Sequence, residues 1–515
     1  MSWGSAFVAS LDSPSKSIEY AIRFIGHSND YFLGSARTIG NGGMISLGAA
    51  QVTIDNARVT PQRWSVNFGG FTIEIVGDLR PISTSAFRKG AIAELFMSRN
   101  RGQPERVAIG QLRALTGGRG VWRLEFGDLI SAMTSRLSTK AEELSFYYNS
   151  GTTTTVSTNF NFSSSNQLQL ADISSFEKDA NFDGMAFVTN ATGSSAYYKW
   201  SSKVTTSAPA GYLVITSTGS WPTPSTAAIA TLQAGDKVMA VTRLQGRPDE
   251  VFARTLMSTG NAAQGPFDDF PQAWGVGINF SPSLINSQDM NLWYNNVWKT
   301  ATDNHHIQLV ISSPQDSGIR NLINSTLELG MWPVFRQGRI SWRVCQDPEA
   351  AVAVSIAESI RDRDIIQIES HSIYSPSQSV VYGKSSILTS NSSGTQSTQS
   401  LSVTNVRALP ANNEIERDNR FIYRIDAPVQ SSKASKDLGR MSAWDLYTYE
   451  ELSLAVSERF AGLVAGDIVA ITSSMIYGYK EAAGKTYLGR RGMILGNRWL
   501  PNQSRCILTI GVISK

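Results

Sequence analysis

Between residues 64 and 76 apolar side chains fall at every second position, and the alternation changes phase once. Trp64, Val66 and Phe68 alternate with polar neighbours, and Phe71, Ile73 and Ile75 take over after Gly69-Gly70. A period of two marks a strand with one buried face, and the phase step at a glycine pair predicts a bulge or tight bend. The runs 18–25 and 121–126 are also apolar and bounded by turn residues. Gly117-Gly118-Arg119-Gly120 fits a hairpin turn between 112–115 and 121–126. After Phe126 the pattern reads as a strand end and one short helical turn. Residues 1–140 therefore predict a small antiparallel barrel or sandwich.

Residues 148–166 are rich in Ser and Thr, a composition that suits a flexible linker or an exposed β ribbon. Short β-like runs then recur at 185–188, 196–200, 212–217 and 237–241, and predict a second small β module inserted in the chain. The pattern turns helical after Gly246. Pro248 suits a first helical turn, Asp249 and Glu250 favour the positive end of the dipole, and Val251, Phe252, Leu256 and Met257 form a stripe before Gly260. Leu284, Ile285, Leu292, Trp293 and Val297 predict a helix over 283–299. Ile319, Leu322, Ile323, Leu327 and Leu329, capped by Asp316 or Ser317 and stopped by Gly330, predict another over 315–329. Arg336-Gln337-Gly338-Arg339 between 332–335 and 340–344 is a hairpin signal. Strand-like residues 371–389, a polar tract at 389–401, a helix over 442–463 and strands at 468–472, 493–499 and 506–512 close the chain.

The fold class expected is mainly β (α+β): two small antiparallel β-barrel domains, a mixed α/β middle and a β-rich insertion. The expected divisions are 1–145 for the first barrel, 146–240 for the insertion, 241–370 for the α/β part and 371–515 for the second barrel with one helix. No fixed-period repeat is visible.

Composition narrows the function. Only 17% of the 515 residues are charged, against about 25% in an average globular protein, which argues against a disordered chain. Lys plus Arg is 46 and Asp plus Glu is 42, so the net charge is +4. That balance is poor for a protein that grips phosphates. Two cysteines, Cys345 and Cys506, allow one disulfide but no disulfide scaffold and no four-cysteine metal site. The first residues show no signal peptide, and no apolar run is long enough for a membrane-spanning helix. The sequons at Asn161, Asn190, Asn279, Asn324, Asn391 and Asn502 follow from the polar composition.

Candidate chemistry is sparse. From Gly478 to Thr486 the chain resembles a phosphate-binding P-loop, but five residues separate Gly478 from Gly484 where four are required, and a turn and a strand follow in place of a helix. The reading is an exposed β–β loop. His305-His306 beside Asp303 point to different faces and read as a solvated loop; His27 and His371 are isolated. Cys345 lies in an apolar strand and reads as packed. Asp268-Asp269, Glu142-Glu143 and Glu450-Glu451 are adjacent acids, whereas glycoside hydrolysis needs two carboxylates across a cleft. Trp274, Trp293, Trp298, Trp332 and Trp342 crowd the middle of the chain and read as core or interface aromatics rather than a sugar-binding row. Arg361-Asp362-Arg363-Asp364 reads as a solvated turn, with ion pairing preferred to an anion site. No catalytic, cofactor-binding or metal-ligating residue and no cofactor is assigned, and the chain is not read as an enzyme.

Three stretches resemble the baseplate or tail-tip hub proteins of long-tailed bacteriophages. They are Val121-Trp-Arg-Leu-Glu-Phe-Gly-Asp-Leu; Gly246-Arg-Pro-Asp-Glu-Val-Phe-Ala-Arg-Thr-Leu with Pro266-Phe-Asp-Asp-Phe-Pro-Gln-Ala-Trp-Gly-Val-Gly-Ile; and Gly466-Asp-Ile-Val-Ala-Ile-Thr continuing to Gly492-Met-Ile-Leu-Gly-Asn-Arg-Trp and Cys506-Ile-Leu-Thr-Ile. The match covers about a third of the chain, and residues 148–240 depart from it. The resemblance implies a structural virion protein: a homotrimeric hub whose two barrels per subunit make a pseudo-sixfold ring. The implied partners are the distal tail or tail-tube protein, the tape-measure protein and tail-tip fibre or spike proteins. Double-stranded DNA would pass during genome ejection without stable nucleic-acid binding, and contact with the host envelope would come through partners. The implied place is the tail tip of the virion, after synthesis in the host cytoplasm. Three chains at +4 each suit a conduit, because each neutralised phosphate adds affinity through counterion release. A receptor- or carbohydrate-binding tail or adhesin protein is the alternative, and a glycan-cleaving enzyme is a further rival.

Overall fold

The computed structural model describes residues 3–12, 17–24, 32–33, 48–61, 65–76, 89–100, 102–118, 120–129, 147–148, 152–176, 178, 183–219, 229–246, 248–257, 276–277, 282–293, 307–311, 327, 330–350, 356–374, 380–390, 396–406, 414–419, 440–441, 443–478 and 486–514. The fold is mainly β, as the alternating patterns predict.

Its largest feature is a 13-stranded sheet to which both ends of the sequence contribute. The N-terminal part runs, neighbour by neighbour, through Phe32–Leu33, Ile18–Phe24, Ile92–Arg99, Glu105–Gly118, Val121–Asp128, Gly70–Val76 and Gly48–Asp55, every pair antiparallel. The expected turn at 117–120 is present, with Gly118 and Val121 ending the two strands. The phase step at Gly69-Gly70 separates two strands. Ser65–Asn67 folds back on Arg58–Thr60, while Gly70–Val76 enters the large sheet.

The C-terminal part closes on itself. Ile356–Arg361 and Ile365–Tyr374 are two arms of one bent strand, linked by the single turn Asp362–Asp364. The second arm pairs with Thr448–Ser457. The ladder then continues through Arg505–Ser514, Thr486–Leu500 and Ile468–Tyr477, and returns to the first arm. Counting the bent strand once, this is a five-stranded barrel. Alternating directions cannot close on an odd number of strands, so one neighbouring pair must be parallel. That pair is Ile356–Arg361 with Ile468–Tyr477.

Gly48–Asp55 joins the two parts edge to edge, pairing Ile54 with Trp499 and Asp55 with Arg498. One apolar core runs through both. Tyr20, Ile73, Phe126, Leu454, Trp499 and Leu508 belong to the same buried cluster, with Phe71 and Phe126 stacked at 4.3 Å between ring centroids.

The inserted β module is also a barrel. Thr153–Thr155, Lys237–Gly246, Gly184–Thr189, Ser195–Ser207, Ala210–Gly219 and Gln167–Leu170 form an antiparallel run. A bridge between Val156 and Leu170, with Ser157 N donating to Gln169 O at 2.9 Å, brings its ends together. Six is even, so every pair here is antiparallel. Phe160, Leu168, Tyr198, Trp200 and Leu213 fill a separate core. Beyond Ser201 the strand Ser195–Ser207 is exposed while it still pairs with Gly211–Val214.

The helical middle is partly as expected. Pro248–Met257 is a helix with Val251, Phe252 and Leu256 buried. The helix expected over 283–299 is a single turn Pro282–Leu284 followed by Ser287–Trp293, and Leu292 is exposed. Asn286 interrupts the two and accepts from Asp289 N at 3.2 Å, the work of an N-cap. The helix expected over 315–329 lies outside the described residues except for Leu327. The helix expected over 442–463 is corrected: Thr448–Ser457 is a central strand of the barrel, followed by the short turn Glu458–Gly462. Leu452, Leu454 and Val456 alternate at period two, and ladders on both edges override the helical preference of Glu450-Glu451.

Candidate functional site

Among the described residues, three buried polar groups stand out, two of them where parts of the chain join and one inside the C-terminal barrel. The first sits on the hairpin Met331–Arg336/Arg339–Val344. Gln337 and Gly338 both have positive φ, at 54° and 70°, which is the two-residue turn that the strand twist favours. Along Arg339–Val344 the apolar Ile340, Trp342 and Val344 face one way and Ser341 and Arg343 the other, yet both faces are buried. A fully buried guanidinium needs acceptors on every side. Arg343 donates from Nε to Asp467 Oδ1 and from Nη1 to Asp289 Oδ2, each at 2.8 Å, and also to the Trp342 carbonyl at 2.8 Å. Arg336 reaches Asp289 Oδ1 at 2.8 Å, and Ser341 donates to Asp289 Oδ2. Two arginines thus face two aspartates from three elements: the hairpin, the helix Ser287–Trp293 and the turn entering Ile468–Tyr477. Burial alone would raise the Asp289 pKa, but Arg343, Arg336 and the hydrogen bonds outweigh it and hold the carboxyl below its ordinary value. Burial likewise works against the Arg343 charge, and Asp467 and then Asp289 overcome it and raise its pKa. Gly466 lets the chain pass this close: its φ is +103°, and a Cβ there would lie 2.7 Å from Arg343 Cβ.

The second group joins the N-terminal sheet to the C-terminal barrel. Arg99 forks onto Glu458, with Nη1 to Oε2 at 2.7 Å and Nη2 to Oε1, and both side chains are buried. Trp499 Nε1 adds a contact to Glu458 Oε2 at 3.3 Å. Burial first, and the Glu458 charge second, push up the Tyr20 phenol and the Cys506 thiol.

The third group is inside the barrel. Glu450 is fully buried and takes His371 Nε2 at 2.8 Å and Ser514 Oγ at 3.1 Å. The serine bonds the carboxylate and not the histidine, so the three residues do not form a nucleophile–base relay, which needs the base beside the hydroxyl. Glu451, next in sequence, turns the other way to Arg58 at 3.0 Å. Neighbouring strand residues face opposite sides, so these adjacent acids do not share a cleft.

The remaining sequence candidates separate. Gly478 follows the strand Ile468–Tyr477 and Thr486 begins the next, antiparallel to it, so the P-loop-like stretch spans a β–β connection whose residues 479–485 lie outside the described set. Cys345 and Cys506 are both buried and are not joined in a disulfide. Trp332 and Trp342 are core residues, with Trp332 Nε1 donating to Ala465 O at 3.1 Å. In the turn Asp362–Asp364, Asp364 is buried and accepts from Arg459 at 3.1 Å, while Arg363 is exposed. His27, His305, His306, Glu142, Glu143, Asp268, Asp269, Trp274 and Trp298 lie outside the described residues. Among the described residues no group of three or more His, Cys, Asp or Glu is placed to hold a metal ion, and no helix is long and apolar enough to cross a membrane. Arg343 and Glu458 were not picked out by sequence reasoning. The signal available was an arginine lodged between Trp342 and Val344 in the strand Arg339–Val344.

No family model and no curated protein matches the chain. Among solved structures it is similar to a tail protein from Neisseria meningitidis MC58, at 9% identity and a TM-score of 0.39 over 97% of each chain. It is also similar to the 43 kDa tail protein of prophage MuSo2 from Shewanella oneidensis, at 8% identity and a TM-score of 0.36 over 96% of this chain and 98% of that one. A chain of the virion of the native gene transfer agent particle aligns at 11% identity with a TM-score of 0.19, covering 46% of this chain and 84% of that one.

Proposed function

We propose that the chain is a structural component of a phage-type tail, a hub that trimerises at the tail tip. The observation that carries the reading is the edge-to-edge pairing of Ile54 with Trp499 and Asp55 with Arg498. It sets two β units side by side in one subunit, over a shared core. Three such subunits around an axis would present six similar units, which is how a threefold tip can meet a sixfold tube. The hub-like stretches fit that plan: Val121–Asp128 is an internal strand of the first unit, and Ile468–Tyr477, Thr486–Leu500 and Arg505–Ser514 build the second. The buried ionic groups have a role in it too. Each ties one element to another, as a part that transmits force along a tail requires. Tube, tape-measure and tip proteins are the proposed partners, with DNA passing through the centre.

Negative-stain imaging of the purified chain down its symmetry axis tests the proposal. Threefold rings with a central hole wide enough for duplex DNA are expected. Monomers that stay monomeric when mixed with tail-tube protein would overturn it.

A further inference from the structure

A cleft of about 380 Å³ opens where the N-terminal helix, the strand Glu105–Gly118 and the tip of the 331–344 hairpin meet. Its lining combines the apolar Trp3, Phe96 and Pro104 with the charged Glu105, Arg106 and Arg339. The charged lining is built rather than incidental. Arg106 is held by Glu94 Oε1 at 2.6 Å and by the Ser283 carbonyl at 3.0 Å. Trp3 Nε1 fixes the Arg106 carbonyl at 3.0 Å, and one oxygen of Glu105 accepts from Gly4 N at 2.8 Å. The Gln337-Gly338 turn is pressed onto the same strand, since a Cβ at Gly338 would lie 2.3 Å from Arg106 O. Arg339 follows that turn directly and lines the cleft. Among the described residues its guanidinium has no hydrogen-bond acceptor, although it is half-buried. Burial and the neighbouring Arg106 both press against its charge, and Glu105 offsets them only in part.

A half-buried guanidinium with unused donors asks for an anion with two in-plane oxygens. Glu105 stands in the same cleft, so a doubly charged phosphate meets repulsion that a single carboxylate meets less. The apolar lining accepts a hydrocarbon body. From this geometry we infer that the cleft binds a monocarboxylate carried on an apolar group, with Arg339 forking onto the carboxylate and Phe96 and Pro104 against its body. The inference is independent of the tail reading. The carboxylate can come from a small organic acid or from an acidic side chain of a docking polypeptide.

Saturation-transfer NMR on the full-length protein distinguishes the outcomes. The probes are phenylacetate, its neutral isostere phenylacetamide, phenyl phosphate, and the blocked tetrapeptide Gly-Phe-Glu-Gly. Phenylacetate should bind in preference to phenylacetamide and phenyl phosphate, and Arg339→Gln should weaken it by about ten-fold, as expected for loss of a charge-assisted pair. Glu105→Gln should do the opposite and strengthen it, because it removes the competing charge and keeps an acceptor for Gly4 N. Tighter binding of the tetrapeptide than of phenylacetate assigns the carboxylate to a polypeptide, and weaker binding assigns it to a free acid. Equal binding of phenylacetate and phenylacetamide, or no response to Glu105→Gln, would overturn the inference even if the Arg339 variant failed to fold.

Discussion

Asp289 answers two arginines and a serine at once. Its carboxyl is held below the ordinary value of 3.8. A depressed folded-state pKa contributes stability above the unfolded value, and that contribution is lost as pH falls through the folded one. Asp289→Asn keeps the size and removes the charge, leaving Arg343 buried with Asp467 as its carboxylate partner among the described residues. At pH 7 the variant should be less stable by about 3–5 kcal/mol, the cost of breaking a buried pair. The gap between the two proteins should narrow as pH drops below the ordinary carboxyl range. Urea unfolding at stepped pH reads both quantities, and a gap that is constant with pH would exclude the charge as its source. None of this was legible in sequence. Arg343 stands 124 residues from Asp467, and no local pattern encodes such a pairing.

At the scale of elements, the legible parts are those whose cause is local. The turns at 117–120 and 336–339 were read correctly because two or three residues set the backbone path. Thr448–Ser457 was misread because its environment is made by strands on both edges, which come from distant segments. Gly338 shows how much a local choice can carry. It takes a φ of +70° and touches the Arg106 backbone, so the turn and the cleft depend on the same missing Cβ. Gly338→Ala should cost about 1–3 kcal/mol from backbone conformation, and the clash of the added Cβ with the Arg106 carbonyl adds to it. The variant should also weaken phenylacetate binding, since Arg339 moves with the turn. Thermal unfolding and the same NMR titration check both effects. A stable variant with unchanged binding would mean that the hairpin tip does not position Arg339.

At the scale of the whole molecule, the arrangement of cores predicts how the chain comes apart. The N-terminal sheet and the C-terminal barrel share one buried cluster and are pinned by Arg99 and Glu458, although those residues lie 359 positions apart. The inserted barrel has its own cluster, with no residue in common. Cooperative units follow contiguous cores, because each residue's burial depends on its neighbours staying in place. Calorimetry of the full chain should therefore resolve two transitions, one for the joined sheet and barrel and one for the insertion. Trp200→Ala, at the centre of the inserted barrel, should lower only the second, by about 3–5 kcal/mol for an aromatic truncated in a core. Glu458→Gln should lower only the first by a similar amount, since it strands a buried arginine. A single transition that both substitutions move would mean that the insertion is energetically continuous with the rest. Separate responses would identify it as a module that the joined sheet carries without depending on it.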